Sequence, residues 1–340
     1  MESHPRGRGG GRGRGRGRGR VIDPAMSNGN QDDTSTDANG NDSTNEDGLS
    51  SEDEWIEDNT PLPQFPFTGT PGLKVPKPVK AEEFIQLFFT KCLLTYLTNE
   101  TCKYAEWCTK FAPDQFGLYW DGLTVKQMAN YLGLRILMGI NRLPAESMHW
   151  VKDNRFYGHE VFHKTMSFIK FKLISKFFHA NDKDAVPKGY NTHAEHDRLI
   201  LVRPLIDYLR EKSNALYTPL KNLSLDEATL PWKGNLNIKV YNPLKPNKYG
   251  IKIYMLCEAL SGYCLNLMVY DGKGNTLRDV IFTLLHRFLG KGYRVFMDNY
   301  YNSVKIVEEL YANLTHTVGT LRMNRGAPDV LREFEKKTGA

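Results

Sequence analysis

Leu223-Ser224-Leu225-Asp226-Glu227 and Arg294-Val295-Phe296-Met297-Asp298-Asn299 bracket the stretch whose reading decides the fold, residues 222–303. Each is a short β-type run that ends on a carboxylate. Between them, Tyr249-Gly-Ile-Lys-Ile-Tyr-Met-Leu-Cys257 and Tyr263-Cys-Leu-Asn-Leu-Met-Val-Tyr270 are rich in aromatic and β-branched residues, and the Ser261-Gly262 step between them predicts a tight hairpin turn. A helix follows over 276–289, where Leu277, Val280, Ile281, Leu284, Leu285 and Phe288 recur at three and four and so bury one face on a sheet. A second helix over 303–311 and a short strand over 316–321 complete the series.

This order predicts an α/β domain of the ribonuclease H-like plan, in which an antiparallel meander is followed by a parallel strand that returns beside the first through a helical crossover. On that plan Asp226 and Asp298 converge at one end of the sheet. Two carboxylates so placed repel and raise each other's pKa unless a cation lies between them. Mg²⁺, or Mn²⁺, suits them because it takes hard oxygen ligands and leaves positions for water and phosphate. Glu227 points to the opposite face of a continuing strand and is not counted as a ligand.

The words around the carboxylates are more specific than the topology. Leu-Asp-Glu, then Trp232-Lys-Gly234, Tyr241-Asn-Pro-Leu-Lys-Pro-Asn-Lys-Tyr-Gly-Ile-Lys252, Met297-Asp-Asn-Tyr-Tyr-Asn-Ser303 and Val318-Gly-Thr-Leu-Arg322 resemble the piggyBac family of DNA transposases and the host proteins derived from them. The resemblance begins near Phe65 and takes in Phe177-Phe-His-Ala-Asn-Asp182 and the Asp197-Arg-Leu run. It implies that Asp226 and Asp298 are the first two of three catalytic, metal-binding aspartates, and that the partner is DNA. The third acid is expected beyond Ala340, so the ribonuclease H-like domain is expected to be incomplete, C-terminally truncated. Asp329, Glu333 and Glu335 come too early to match it, and geometric substitution by one of them stays open. The expected function is that of a transposase-derived DNA-binding protein whose ancestral chemistry is cleavage and joining of phosphodiesters. The alternative is a DNA- or chromatin-binding host protein without cleavage activity. Either reading implies a nuclear location and allows a homodimer.

Charge is distributed unevenly along the 340 residues. Residues 1–20 carry seven Arg against Glu2, residues 21–60 carry twelve acids and no Lys or Arg, and residues 61–340 carry thirty-eight Lys and Arg against twenty-six acids. The basic part favours a polyanion partner. The Arg-Gly alternation over 6–20 cannot pack a core and predicts a disordered tail with sequence-blind affinity for nucleic acid, RNA included. The acidic stretch that follows is also expected to be disordered. Six prolines over 59–80 predict an extended linker. The expected organisation is therefore a tail over 1–58, a linker over 59–80, a helical domain over 81–220 and the catalytic-type domain over 221–340.

Within the helical part, helices are expected from about 81, with an apolar face of Phe84, Leu87, Phe88 and Leu94, and over 102–111, 124–140 with Thr124 as N-cap, 160–178 and 198–208. Lys233, Lys245, Lys248 and Lys252, interleaved with Trp232, Tyr241 and Tyr249, suit phosphate contact and base stacking, with ordinary solvated lysines as the alternative. His159-Glu-Val-Phe-His163 spells the two-histidine zinc motif H-E-x-x-H. It sits at a helix start, and Met166 and Ile169 occupy the Gly and third-His positions of the longer form. Five cysteines without Cys-x-x-Cys spacing argue for reduced thiols and against a zinc knuckle. The most apolar run, 131–140, is too short to span a bilayer and is broken by Arg135, so no membrane partner is expected.

Overall fold

The computed structural model describes residues 63–111, 114, 117–152, 159–185, 197–243 and 245–329. The Arg-Gly tail, the acidic stretch, the first part of the linker, Glu333 and Glu335 lie outside the described residues. In chain order the elements are β1 (Gly72–Leu73), α1 (Ala81–Phe88), α2 (Lys91–Phe111), α3 (Val125–Ile140), α4 (Glu160–Thr165), α5 (Phe168–Phe177), α6 (Arg203–Leu216), β2 (Tyr217–Thr218), β3 (Asn222–Pro231), β4 (Lys239–Tyr241), β5 (Tyr249–Glu258), β6 (Cys264–Val269), α7 (Leu277–Leu285), β7 (Arg294–Met297), α8 (Val304–Ala312) and β8 (His316–Val318).

The helical part departs from the sequence expectation in four places. The helix expected from 81 stops at Phe88, so Leu94 lies on α2 and does not share a face with Phe84, Leu87 and Phe88, and Phe84 is exposed. The helix expected at 102 begins at Lys91, because no breaker separates the two runs. The helix expected over 160–178 is two: α4 ends with Met166 in extended backbone, and Ser167 caps α5 by accepting from the Lys170 N–H at 3.2 Å. The helix expected over 198–208 begins at Arg203 with Pro204 in its first turn, and runs on to Leu216. By contrast, α3 starts where the sequence places it. Thr124 Oγ1 accepts from Gln127 N–H and Gln127 Oε1 accepts from Thr124 N–H, a reciprocal capping box. Leu93, Leu97, Met128, Tyr131, Phe162, Phe171 and Ile174 form this part's core.

The larger sheet has the order β4-β5-β3-β7-β8, with β6 also on β5. β3, β5 and β6 are antiparallel neighbours, whereas β7 is parallel to β3 and β8 parallel to β7. An antiparallel meander joined through helical crossovers to parallel strands is the ribonuclease H-like topology. The alternation of β3 puts Leu223 and Leu225 on the face that meets Val280, Ile281, Leu284 and Leu285 of α7, all fully buried. Burying each such side chain contributes about 1.5–3 kcal/mol, so α7 fixes which face of β3 turns inward. α7 ends four residues earlier than expected, and residues 286–292 form turns that lead into β7. β8 ends at Val318 rather than 321. β4 escapes the sequence reading because it is three residues long and embedded in a lysine- and proline-rich loop. The segment 63–74 is tied down by Phe65 stacking on His316, by Phe67 packing edge-on against Tyr293, and by β1, which pairs with β2 in a separate two-stranded sheet. Among the described residues, no helix is long and apolar enough to cross a membrane.

Candidate active site

Parallel pairing of β3 with β7 sets Leu225 opposite Met297. The next residue on each strand is a carboxylate, so Asp226 and Asp298 stand side by side where β7 ends, and both are exposed. Each is held by a local backbone hydrogen bond. Glu227 N–H donates to Asp226 Oδ1 at 2.7 Å, and Tyr300 N–H donates to Asp298 Oδ1 at 2.9 Å. Partial loss of hydration raises the Asp226 pKa, and the negative charges of Glu227 and Asp298 raise it further, outweighing the hydrogen bond from the Glu227 amide.

Glu227 lies opposite Tyr254 in the β5 register and faces the other way, as alternation predicts. The sequence does not reveal what it does there. Tyr301, fully buried, donates its hydroxyl to Glu227 Oε2 at 2.9 Å, and Lys245 Nζ donates to Oε1 at 3.2 Å. Burial alone would raise the Glu227 pKa. The Tyr301 hydroxyl, Lys252 and Lys245 more than offset it and hold the carboxylate ionised below its ordinary range. Glu227 thereby ties β3 to the loop that carries Asp298. The second clamp on that loop is Asn302, whose buried Nδ2 donates to Met297 O at 3.4 Å and Thr320 O at 3.0 Å. The signal for both was the Asn-Tyr-Tyr-Asn run after Asp298: the sequence allows Asn299, Tyr300 and Tyr301 to orient that carboxylate or the rings to be core, but does not name Glu227 or Thr320 as partners.

The four lysines singled out from the sequence separate into two kinds. Lys233 and Lys248 are exposed. Lys245 is engaged with Glu227, and Lys252 is half-buried, its Nζ 4.7 Å from the ring centroids of both Tyr254 and Tyr300. Desolvation lowers the Lys252 pKa, while Glu227, Asp226 and Asp298 act in the other direction. Beyond them Tyr241 and Tyr249 pack at 4.8 Å, with Lys239 over the Tyr249 ring and Trp232 42% exposed. This makes an aromatic and basic edge where β4 pairs with the start of β5, beside the end of β3.

Among the described residues, no group of three or more His, Cys, Asp or Glu side chains is placed to hold a metal. The donor set of Asp226 and Asp298 fits one hard divalent ion whose remaining positions are filled by water or phosphate. The H-E-x-x-H reading gains nothing: His159 precedes the first turn of α4, and Glu160 is ion-paired with Lys164 on its own helix. Asp329 is described, but it does not join a group with Asp226 and Asp298.

Comparison with known proteins gives the family and the fold. The family model described as Transposase IS4 matches residues 80–339. Human PiggyBac transposable element-derived protein 5 is 25% identical over 284 residues, which cover 78% of this chain and 51% of that protein. Human PiggyBac transposable element-derived protein 2 is 26% identical over 266 residues, covering 71% of this chain and 39% of that protein. The chain thus spans about half or less of the length of these relatives. A cryo-EM structure of a piggyBac transposase synaptic complex with hairpin DNA superposes with a TM-score of 0.63 at 22% identity, over 77% of this chain and 56% of the other, a likeness of fold.

Proposed function

We propose a function on the premise that the chain belongs to the piggyBac-type transposase family: it binds duplex DNA across the end of the sheet where Asp226 and Asp298 stand, and those two carboxylates hold a divalent cation, Mg²⁺ or Mn²⁺, against a phosphodiester. The observation that carries this reading is the β3–β7 register, which sets two aspartates from sequence-distant strands next to one another. When bound, the cation supplies Lewis-acid polarisation of a phosphoryl oxygen. The chain's own residues do the rest. Asp226 and Asp298 accept the cation, the Glu227–Tyr301 bond and Asn302 hold the Asp298 loop in place, and exposed Lys233 and Lys248 meet phosphate. Trp232, Tyr241 and Tyr249 offer faces on which a base can stack. With DNA as the partner, the proposed location is the nucleus.

The second reading is a DNA-binding protein without cleavage activity; the exposed Lys233, Lys248 and Trp232 support binding to DNA whether or not the carboxylates act on it. Both readings share DNA binding, which anisotropy titration of the 340-residue chain with labelled duplex across a salt series tests directly. Affinity should fall steeply with salt, and the double variant Lys233→Ala/Lys248→Ala should reduce the slope of log affinity on log salt by about one to two. An unchanged slope would assign any binding to the Arg-Gly tail and remove the sheet edge from the account.

A further inference from the structure

Cys257 on β5 and Cys264 on β6 are Cα partners in the antiparallel register, at the irregularity where β6 carries one extra residue against β5. Directly opposed antiparallel residues have Cα atoms about 4.5–5.5 Å apart, inside the window of roughly 4.4–6.8 Å that a disulfide spans. Both side chains are half-buried, within reach of a small oxidant. Cys264 Sγ donates to the backbone oxygen of Asn266 at 3.6 Å, which keeps its proton in place. The remaining cysteines have no comparable partner. Cys92, Cys102 and Cys108 lie on α2, and the spacing of six between the last two puts them on different faces of that helix. Cys257 is also the Cα partner of Ser224, on the sheet face that carries Asp226 two residues along β3.

We propose that Cys257 and Cys264 form an oxidative modification site, a cross-strand dithiol in which Cys257 reacts with hydrogen peroxide and Cys264 resolves the product as an intramolecular disulfide. The Cys257 thiolate attacks one peroxide oxygen, the O–O bond breaks, and with one proton a water leaves, so that Cys257 becomes a sulfenic acid. The Cys264 sulfur then displaces the hydroxyl from Cys257, its proton leaving with that hydroxyl as a second water. The peroxide gains the two electrons that the two thiols lose. Cys257 is assigned the attack because the Cys264 S–H is held by the Asn266 carbonyl oxygen; the neighbouring thiols shift in the same sense, the Cys257 thiol held below its usual range and Cys264 pushed up. The bond would stitch the β5–β6 hairpin on the Asp226 face, a consequence independent of whether the protein binds DNA.

The test is peptide mapping by mass spectrometry, without reductant, of the folded 340-residue chain after graded hydrogen peroxide. The expected result is one intramolecular Cys257–Cys264 linkage, lacking two hydrogens and reversed by dithiothreitol, formed at least about tenfold faster than oxidation of exposed Cys92. In Cys264→Ser, Cys257 should accumulate a sulfenic acid that dimedone traps; in Cys257→Ser, Cys264 should remain unmodified. Chain unfolded in guanidinium should lose the selectivity, which separates register from intrinsic reactivity without any variant. Oxidation confined to Cys92, a linkage between other cysteines or between chains, or over-oxidised Cys257 without a disulfide would each overturn the proposal.

Discussion

Gly319 follows β8 at the point where that strand presses on the end of β7, and replacing it with alanine is the sharpest test of how the Asp298 loop is held. A Cβ at Gly319 would stand 1.9 Å from Met297 O and 2.4 Å from Asn302 Nδ2. The first neighbour is backbone, one residue before Asp298, and cannot swing aside. The second is a buried amide that already bonds Met297 O and Thr320 O. Overpacking of this kind costs about 1–3 kcal/mol, and forfeiting one of the amide's bonds adds about 1 kcal/mol. Gly319→Ala should therefore destabilise the fold by roughly 2–4 kcal/mol, which for a domain of this size lowers Tm by roughly 4–16 °C. Thermal unfolding followed by circular dichroism reads the shift, with Gly274→Ala as control, because a Cβ there meets nothing within 4 Å. If the two variants melt together, the close approach of β8 to the end of β7 is not what fixes the Asp298 loop.

Tyr301→Phe keeps the buried ring and removes only the hydroxyl bond to Glu227, so urea unfolding should show a loss of about 1.5–3 kcal/mol, the range for a hydrogen bond to a charged group. Glu258 is 1% exposed. Burial would raise its pKa, but bonds from Leu220 N–H, Ser261 Oγ and Tyr217 Oη lower it on balance. A folded pKa below the unfolded one gives stability that is present above about pH 4.3 and is lost as the pH falls through the folded value. Stability measured against pH should therefore drop on that acid limb, and Glu258→Gln should flatten it. Thr276→Ala removes the α7 cap, whose hydroxyl accepts from Asp279 N–H at 3.1 Å, and should cost about 1 kcal/mol by chemical denaturation.

Much of the sheet was legible because its signals are local. The β5–β6 hairpin declares itself by composition and a Ser-Gly turn, and α7 by apolar residues at three and four. Asp226 and Asp298 could be paired from sequence because the helix between them implies a parallel return, which puts like ends of two strands together. The α4–α5 break was not legible, since the apolar period continues across Met166-Ser167 and only the cap at Ser167 marks the restart. The late start of α6 was marked by Pro204 and misread. Partners remote in sequence were invisible in principle: alternation turns Glu227 away from Asp226, but nothing local says that Tyr301, 74 residues on, will meet it. For the same reason Lys245 and Lys252 looked like Lys248, although two of the three are engaged inside the site.

Manganese binding to the 340-residue chain, followed by the loss of the free-ion signal in electron paramagnetic resonance, tests the central claim most directly. The acidic stretch over 21–60 also attracts divalent ions, so the decisive quantity is the difference between the chain and its single variants Asp226→Asn and Asp298→Asn. The account predicts that one class of bound Mn²⁺, displaceable by Mg²⁺, weakens by about tenfold or more in either variant, because each removes one of the two fixed oxygen donors. Manganese binding that is the same in the chain and in both variants would contradict it, and would leave the two aspartates as neighbours without a shared ion.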